Sequence, residues 1–226
     1  YDLVNRLLSG GIDIWWRSVT VRRAPPPPTG AILDVCCGTG DLALAYAAKA
    51  APGVRIVASD FCRPMLDRGA KKGRRAGRAI EWVEADAMAL PFPDATFDLV
   101  TVAFGLRNIA DTARGLAEMA RVTKPGGRLA ILEFSLPRAA VIRQGYLWYF
   151  RNVLPRLGNT VARNGSDAYT YLNQSVEEFP SGDRLAAIVR EAGYDQVTMH
   201  PLSLGIATLS IATRAGPASP PGAPHA

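Results

Sequence analysis

The sequence predicts an α/β fold, with a mostly parallel seven-stranded sheet that ends in an antiparallel pair and carries helices on both faces. Three observations predict it. Between residues 31 and 134, β-branched apolar runs alternate with helical spans. Spans of that length join neighbouring strands by right-handed crossovers into a parallel sheet. The first run, ILDVCC, breaks into Gly38-Thr39-Gly40 and resumes in helix formers, a turn that spends glycine's ordering entropy to bring bare backbone near a ligand. Beyond Gly193 two strands share a short link, which makes them antiparallel neighbours.

Taken in order, Tyr1 to Arg23 carries a helical pattern with Trp15 and Trp16 beside Arg17. Ala24 to Thr29, with four successive prolines, forms a stiff extended linker, so residues 1–29 read as a helical segment plus linker. Strands are predicted at about 31–37, 54–60, 80–85, 97–104 and 128–134, with helices near 41–50, 63–76 and 111–123. KPGG, Lys124 to Gly127, supplies the turn into the fifth strand. An insertion at about 138–180, rich in aromatics and arginine, reads as a helical lid. A helix over 181–193 and strands near 194–200 and 204–213 complete the main domain, 30–214. The Pro-, Gly-, Ala- and Ser-rich tail, 215–226, is expected to be disordered. The chain starts on Tyr1 rather than methionine, and a short leading segment is expected before it.

Composition narrows the function classes. With 226 residues, 48% hydrophobic and 20% charged, the chain has the make-up of a globular protein. No window approaches the roughly 18 apolar residues of a spanning helix, and the first residues lack signal-peptide order, so a cytoplasmic location is expected. Cys36, Cys37 and Cys62 form neither a disulfide framework nor a zinc spacing, and no metal is expected. Cys36 and Cys37 are adjacent on a predicted strand and should face opposite sides as small buried groups. Net charge is +6 at a pI near 9.5, much of it in Arg68 to Arg78, which holds six cations and no acid. That run is a solvated helix end or an attractor of anionic lipid. Without interleaved aromatics, nucleic acid is not expected as a partner.

The chemistry-bearing residues gather at predicted strand ends. Gly38-Thr39-Gly40 with Ala43 fits a G-x-G-x-x-G/A turn, and Asp60 closes the second strand twenty residues after Gly40. An acid there accepts from ribose hydroxyls. Asp86, at the end of the third strand, can accept from an exocyclic adenine amine. Asp34, inside the first strand, is too costly to bury alone and should accept N–H groups from the glycine turn. The chain has only four lysines and no Tyr-x-x-x-Lys pair, which removes the hydride-transfer machinery common in small nicotinamide reductases.

DVCCGTG, Asp60, Asp86, LPFPDATFDLV and KPGG together resemble class I S-adenosylmethionine-dependent methyltransferases. More narrowly, YDLVN at Tyr1, GTGDLA at Gly38, LPFPD at Leu90, AFGLRN at Ala103, LEFS at Leu132, LPRLG at Leu154 and YTYLNQSVEEFPSG at Tyr169 resemble the menaquinone/ubiquinone biosynthesis C-methyltransferase family. The resemblance runs to about residue 213. It implies a Rossmann-like class I fold, S-adenosylmethionine as cofactor, and cofactor contacts at Gly38, Thr39, Gly40, Asp60, Asp86, Ala87 and Ala103. Position 103 is alanine where the family commonly has serine, so any contact there falls to the backbone.

The implied reaction methylates a ring carbon of a polyprenylated hydroquinone, demethylmenaquinol to menaquinol. A benzoquinol of ubiquinone biosynthesis or another small phenol is the alternative. Ring carbon becomes nucleophilic once a ring hydroxyl loses its proton, so a positioned base is needed. His225 lies in the tail and His200 ends a late strand, away from the site. Arg107 and Asn108 follow the fourth strand, where the acceptor should lie. Arginine stays protonated, so Arg107 is expected to stabilise a phenolate or orient a water, with an acid such as Asp167, or a tyrosine, as proton acceptor. Tyr146, Tyr149, Tyr169 and Tyr171 are the expected substrate-binding residues. The partner is then a lipid-soluble quinol, met by peripheral contact at the inner face of the membrane. A homodimer is left open.

Overall fold

The computed structural model describes residues 11–137, 144 and 179–216. Its strands are β1 (Ala31–Val35), β2 (Arg55–Asp60), β3 (Glu81–Glu84), β4 (Phe97–Ala103), β5 (Thr123–Phe134), β6 (Tyr194–Leu202) and β7 (Ala207–Arg214). They form one sheet in the order β3-β2-β1-β4-β5-β7-β6. β1 to β5 run parallel, β7 is antiparallel to β5, and β6 is antiparallel to β7. The strand order reverses between β1 and β4, and ligands of open α/β sheets bind beyond the carboxyl ends at that point.

Each central strand is apolar on both sides, as a doubly covered parallel sheet requires. Ile32, Leu99, Ala130 and Leu132 point to one core, shared with α1 (Ile12–Arg23) and α2 (Asp41–Ala47). Leu33, Val100, Leu129 and Ile131 point to the other, shared with α4 (Thr112–Val122) and α5 (Asp183–Glu191). α3 (Arg63–Arg75) packs at the β2–β3 end. There the Trp82 indole fills the space beside Gly40 and Gly69, where a Cβ would stand 2.3 Å from the ring in each case. The second glycine of the turn is thus required by packing as well as by its φ of +78°.

Two expectations change in detail. KPGG is not a turn ahead of β5 but a bulge inside it. Phe97 pairs with Thr123 and Leu99 with Arg128, and the surplus residues turn through Gly126 at φ +74°. The first strand stops at Val35, because Cys36 adopts φ +52°. Cys36 and Cys37 nevertheless pack into opposite cores. The proline segment is tied down, since Tyr46 Oη donates to the Ala24 carbonyl and Arg128 to that of Pro25.

A candidate methyl-transfer site at the carboxyl edge

Along the carboxyl edge the sheet brings Asp86, Asp60, the glycine turn, Ala103-Phe104 and Arg107 into one row, in strand order. The glycine turn is held shut from behind. Gly40 N–H donates to the Cys37 carbonyl at 2.9 Å, and Cys37 N–H to that of Ser59 at 2.9 Å. Asp60 is almost wholly buried. Its Oδ2 accepts Gly38 N–H and its Oδ1 accepts Cys62 N–H, each at 2.8 Å. The carboxylate therefore clamps two strand ends together, and its spare lone pairs remain able to accept from a ligand. Phe61, next in the chain, is 75% exposed, an apolar plate beside an acid.

Asp86 lies two residues beyond β3, where its Oδ1 accepts Met88 N–H at 2.9 Å and an Asp86–Ala89 bridge closes the loop. Ala87 is buried beside it. The loop is fastened to α4: Leu90 N–H donates to Glu118, and Arg121 donates to the Leu90 and Phe92 carbonyls and to Asp94. The Thr39 hydroxyl accepts from Lys72 Nζ, which also donates to Asp41. That hydroxyl thus faces α3, and the backbone of the turn is what meets the edge.

Asp34 does not serve the glycine turn. Its Oδ2 accepts Ala43 N–H in the first turn of α2 at 3.1 Å, and its Oδ1 accepts the Thr101 hydroxyl at 2.8 Å. The turn meets its own needs through Asp60, leaving Asp34 to join α2 to β4. Burial raises its carboxyl from 3.8 to about 7, against the pull of those two hydrogen bonds. Next to it, burial first and then the carboxylates of Asp60, Asp34, Glu133 and Asp86 push the Cys36 thiol up to about 12. Of these, Glu133 is paired with Arg107 and the raised Asp34 carboxyl holds its proton below about 7, which leaves Asp60 and Asp86 as the open carboxylates beside the end of β1. Carboxylates there suit a cationic sulfonium better than a pyrophosphate.

The β4–β5 side is built from rings and arginines. Phe104 takes φ +58°, uncommon for a bulky residue. Its N–H donates to Leu132, and its carbonyl accepts from the side chains of Arg107 at 2.8 Å and Asn108 at 3.5 Å. The Arg107 guanidinium pairs with Glu133, each side chain 3% exposed, and lies over the Phe134 ring at 5.2 Å. Its Nε is buried without a partner among the described residues. Phe134, Phe104 and Trp16 stack as a cluster with centroids 4.6–6.0 Å apart. The Arg17 guanidinium sits 5.5 Å over Phe104. Gly105 closes the row, since a Cβ there would stand 2.4 Å from Cys36 Cβ.

The structure therefore brings together Gly38, Thr39, Gly40, Asp60, Asp86, Ala87, Ala103, Arg107 and Asn108. Asp167, Tyr146, Tyr149, Tyr169 and Tyr171 lie outside the described residues. Sequence reasoning missed Phe61, Glu133, Phe134, Arg17 and Asp13. A signal existed for Glu133, a lone acid in the apolar run RLAILEF that a central strand could bury only with a partner. His200 is on β6, where Arg23 approaches its Nδ1 at 3.1 Å. It has no part in the row.

The sequence matches the ubiE/COQ5 methyltransferase family over residues 1–214. This chain belongs to that family. Among its relatives, the demethylmenaquinone methyltransferase of Thermus thermophilus is 45% identical, over 95% of this chain and 96% of the relative. That of Deinococcus radiodurans is 46% identical, over 92% and 85%. The ubiquinone/menaquinone biosynthesis C-methyltransferase UbiE of Geotalea daltonii is 45% identical, over 92% and 89%. Among solved structures, a SAM-dependent methyltransferase from Aquifex aeolicus superposes with a TM-score of 0.65 at 17% identity, covering 89% of this chain and 90% of that one. The cyclase SpnF superposes at 0.67 and 18% identity, covering 90% and 81%. The fold is thus that of class I methyltransferases, and the ubiE/COQ5 chain is a methyltransferase by family rather than by fold alone.

Proposed function

We propose that this ubiE/COQ5 chain transfers a methyl group from S-adenosylmethionine to the ring carbon of demethylmenaquinol, giving menaquinol. The observation that carries the reading is the 45% identity to a demethylmenaquinone methyltransferase across nearly the full length of both chains. The residues of the edge fit the donor: carboxylates for ribose and adenine, the Phe61 plate, and an acid-lined β1 end for a cation. Bound there, the donor supplies an electrophilic methyl on a sulfonium.

The chain's own part is to hold and polarise the acceptor. Asp60 accepts from the ribose, Asp86 and Ala87 bound the adenine, and the Ala103 carbonyl closes the donor side. The acceptor ring meets the Phe104–Asn108 turn. There the Arg107 guanidinium, fixed by Glu133, is preorganised positive charge for a developing phenolate, and such charge works best when it need not reorganise. Asn108, exposed at the rim, offers an amide to a ring oxygen. Asp167 takes the phenolic proton; after methylation the ring carbon gives up its own hydrogen as a proton, which restores the aromatic ring and, with reprotonation of the ring oxygen, leaves one proton released overall. Tyr146, Tyr149, Tyr169 and Tyr171 are assigned to the ring and tail.

A prenylated quinol resides in the bilayer, so the enzyme works at its inner face. Among the described residues no helix is long and apolar enough to cross a membrane. Support for surface contact comes from α1, whose inner face covers the site while Ile12, Ile14 and Trp15 are exposed. Incubation with S-adenosylmethionine and either demethylmenaquinol or the matching benzoquinol, read by mass spectrometry, tests the assignment. The naphthoquinol should gain one methyl group, and methylation of the benzoquinol alone would overturn the choice of ring.

A further inference from the structure

Arg17 adds a cation to this edge. It lies on α1, outside the strand-end motifs, yet its guanidinium reaches the edge at the point where the strand order reverses. It stands 5.5 Å over the Phe104 ring and its charge acts on Asp34 at the end of β1. It is held there by Asp13, one turn earlier, with the two side chains only 14% and 5% exposed. A largely buried ion pair contributes little to stability once desolvation is counted. This one also sits on a face of α1 otherwise given to the apolar Trp16, Val19 and Val21.

The order of the edge says what such a cation would meet. Reading across the sheet, Asp86 follows β3, Asp60 ends β2, the glycine turn follows β1, and Phe104 follows β4. The donor is itself linear: adenine, ribose, sulfonium, then an α-amino acid. With adenine at Asp86 and ribose at Asp60, the amino-acid end comes to the β1–β4 gap. Its α-carboxylate needs a counter-charge, and the gap is otherwise ringed by acids. Of the other cations that the described residues bring to this edge, Arg107 lies on the acceptor side in the turn after β4, paired with Glu133, and Lys72 bridges Thr39 and Asp41 on the α3 side. A guanidinium carries five N–H donors in a planar fork, so it can serve Asp13 and a second carboxylate together.

We infer that Arg17, positioned by Asp13, binds the α-carboxylate of the methyl donor. The inference rests on the S-adenosylmethionine reading. It is tested by calorimetry with two ligands, S-adenosylhomocysteine, which carries the carboxylate, and methylthioadenosine, which lacks the amino-acid group. Arg17→Gln should weaken S-adenosylhomocysteine roughly tenfold to a hundredfold, the range of one charge-assisted hydrogen bond, and leave methylthioadenosine unchanged. Arg17→Lys should restore most of the loss. Equal weakening of both ligands would overturn the inference, as it would make Arg17 a general support of the site. Unchanged S-adenosylhomocysteine affinity would overturn it too. Wild-type protein that binds neither ligand would instead bring down the S-adenosylmethionine reading itself.

Discussion

The two halves of the carboxyl edge are made of different materials. On the β1–β3 side, carboxylates receive backbone N–H groups: Asp60 from Gly38 and Cys62, Asp86 from Met88, Asp34 from Ala43. On the β4–β5 side, rings and guanidinium groups pack side chain to side chain, Trp16 with Phe104 and Phe134, and Arg107 with Glu133. The first half is specified by short segments whose partners lie at strand ends. The second exists only once α1, β4 and β5 have met, across more than a hundred residues of chain. The donor half is therefore a backbone device, the acceptor half a product of tertiary packing, and the two should fail differently when perturbed.

The largest effect is expected at Glu133. Removing one partner of a buried ion pair strands the other, so Glu133→Ala should cost about 3–5 kcal/mol in urea denaturation. Replacing both partners, Arg107→Met with Glu133→Leu, should recover most of that stability but not turnover. A double variant with full activity would make the pair a packing element and remove Arg107 from catalysis. Asp60→Ala comes next. The donor should bind more weakly by roughly 1.5–3 kcal/mol, as for a lost hydrogen bond to a charged group. Because Asp60 also receives Gly38 and Cys62 N–H, thermal stability should fall in the same variant. A loss of affinity with unchanged melting would mean that the clamp is dispensable and only the ligand contact counts.

The contrast also explains what could be read from the chain in advance. The parallel run of strands, the antiparallel pair and the placement of Asp60 and Asp86 at strand ends follow from periodicity, crossover handedness and a glycine turn, all of them local or rule-bound, whereas the order of the strands is a tertiary fact. Cys36 ended β1 earlier than its apolar run suggested, since a positive φ leaves no mark in hydrophobicity. Asp34 was expected to serve the glycine turn, its nearest neighbour in sequence. Its hydroxyl partner, Thr101, is 67 residues away. Arg107 does follow β4, but its ion pair with Glu133 is a contact between two elements that no spacing encodes. Arg17 lies in a segment that reads only as a helix with two tryptophans.

A smaller effect joins the halves at their seam. Cys36 sits at φ +52°, and its Cβ occupies the space a Gly105 Cβ would need. Gly105→Ala should cost about 1–3 kcal/mol, the scale of overpacking. Cys36→Gly should stabilise by up to about 1 kcal/mol, because glycine adopts that conformation without a Cβ penalty. In the Cys36→Gly background the Gly105→Ala cost should largely vanish. Additive effects in the double-mutant cycle, read by chemical denaturation, would show that the two strand ends do not press on one another.

The smallest effect per step is one of pH, and it belongs to the donor half. Burial raises the Asp34 carboxyl to about 7 in the folded protein, against 3.8 when unperturbed. Between those values the native state holds a proton that the unfolded chain has released, so stability must fall as pH rises, by at most about 1.4 kcal/mol per unit. Below the window both states are protonated and above it both are ionised, so the slope disappears at each end. Asp34→Asn abolishes the titration while keeping the hydrogen bonds satisfied. The amide oxygen can accept from Ala43, its NH2 can donate to Thr101 Oγ1, and that hydroxyl can turn to the Leu33 carbonyl, 3.4 Å away. The variant's stability relative to wild type should therefore climb from pH 4 to pH 7 and level off above. Urea denaturation at unit pH steps reads the difference. A flat difference across that range would mean that Asp34 is already ionised in the fold, its two donors outweighing the loss of water, and that the donor half is as insensitive to protons as a packed aromatic cluster.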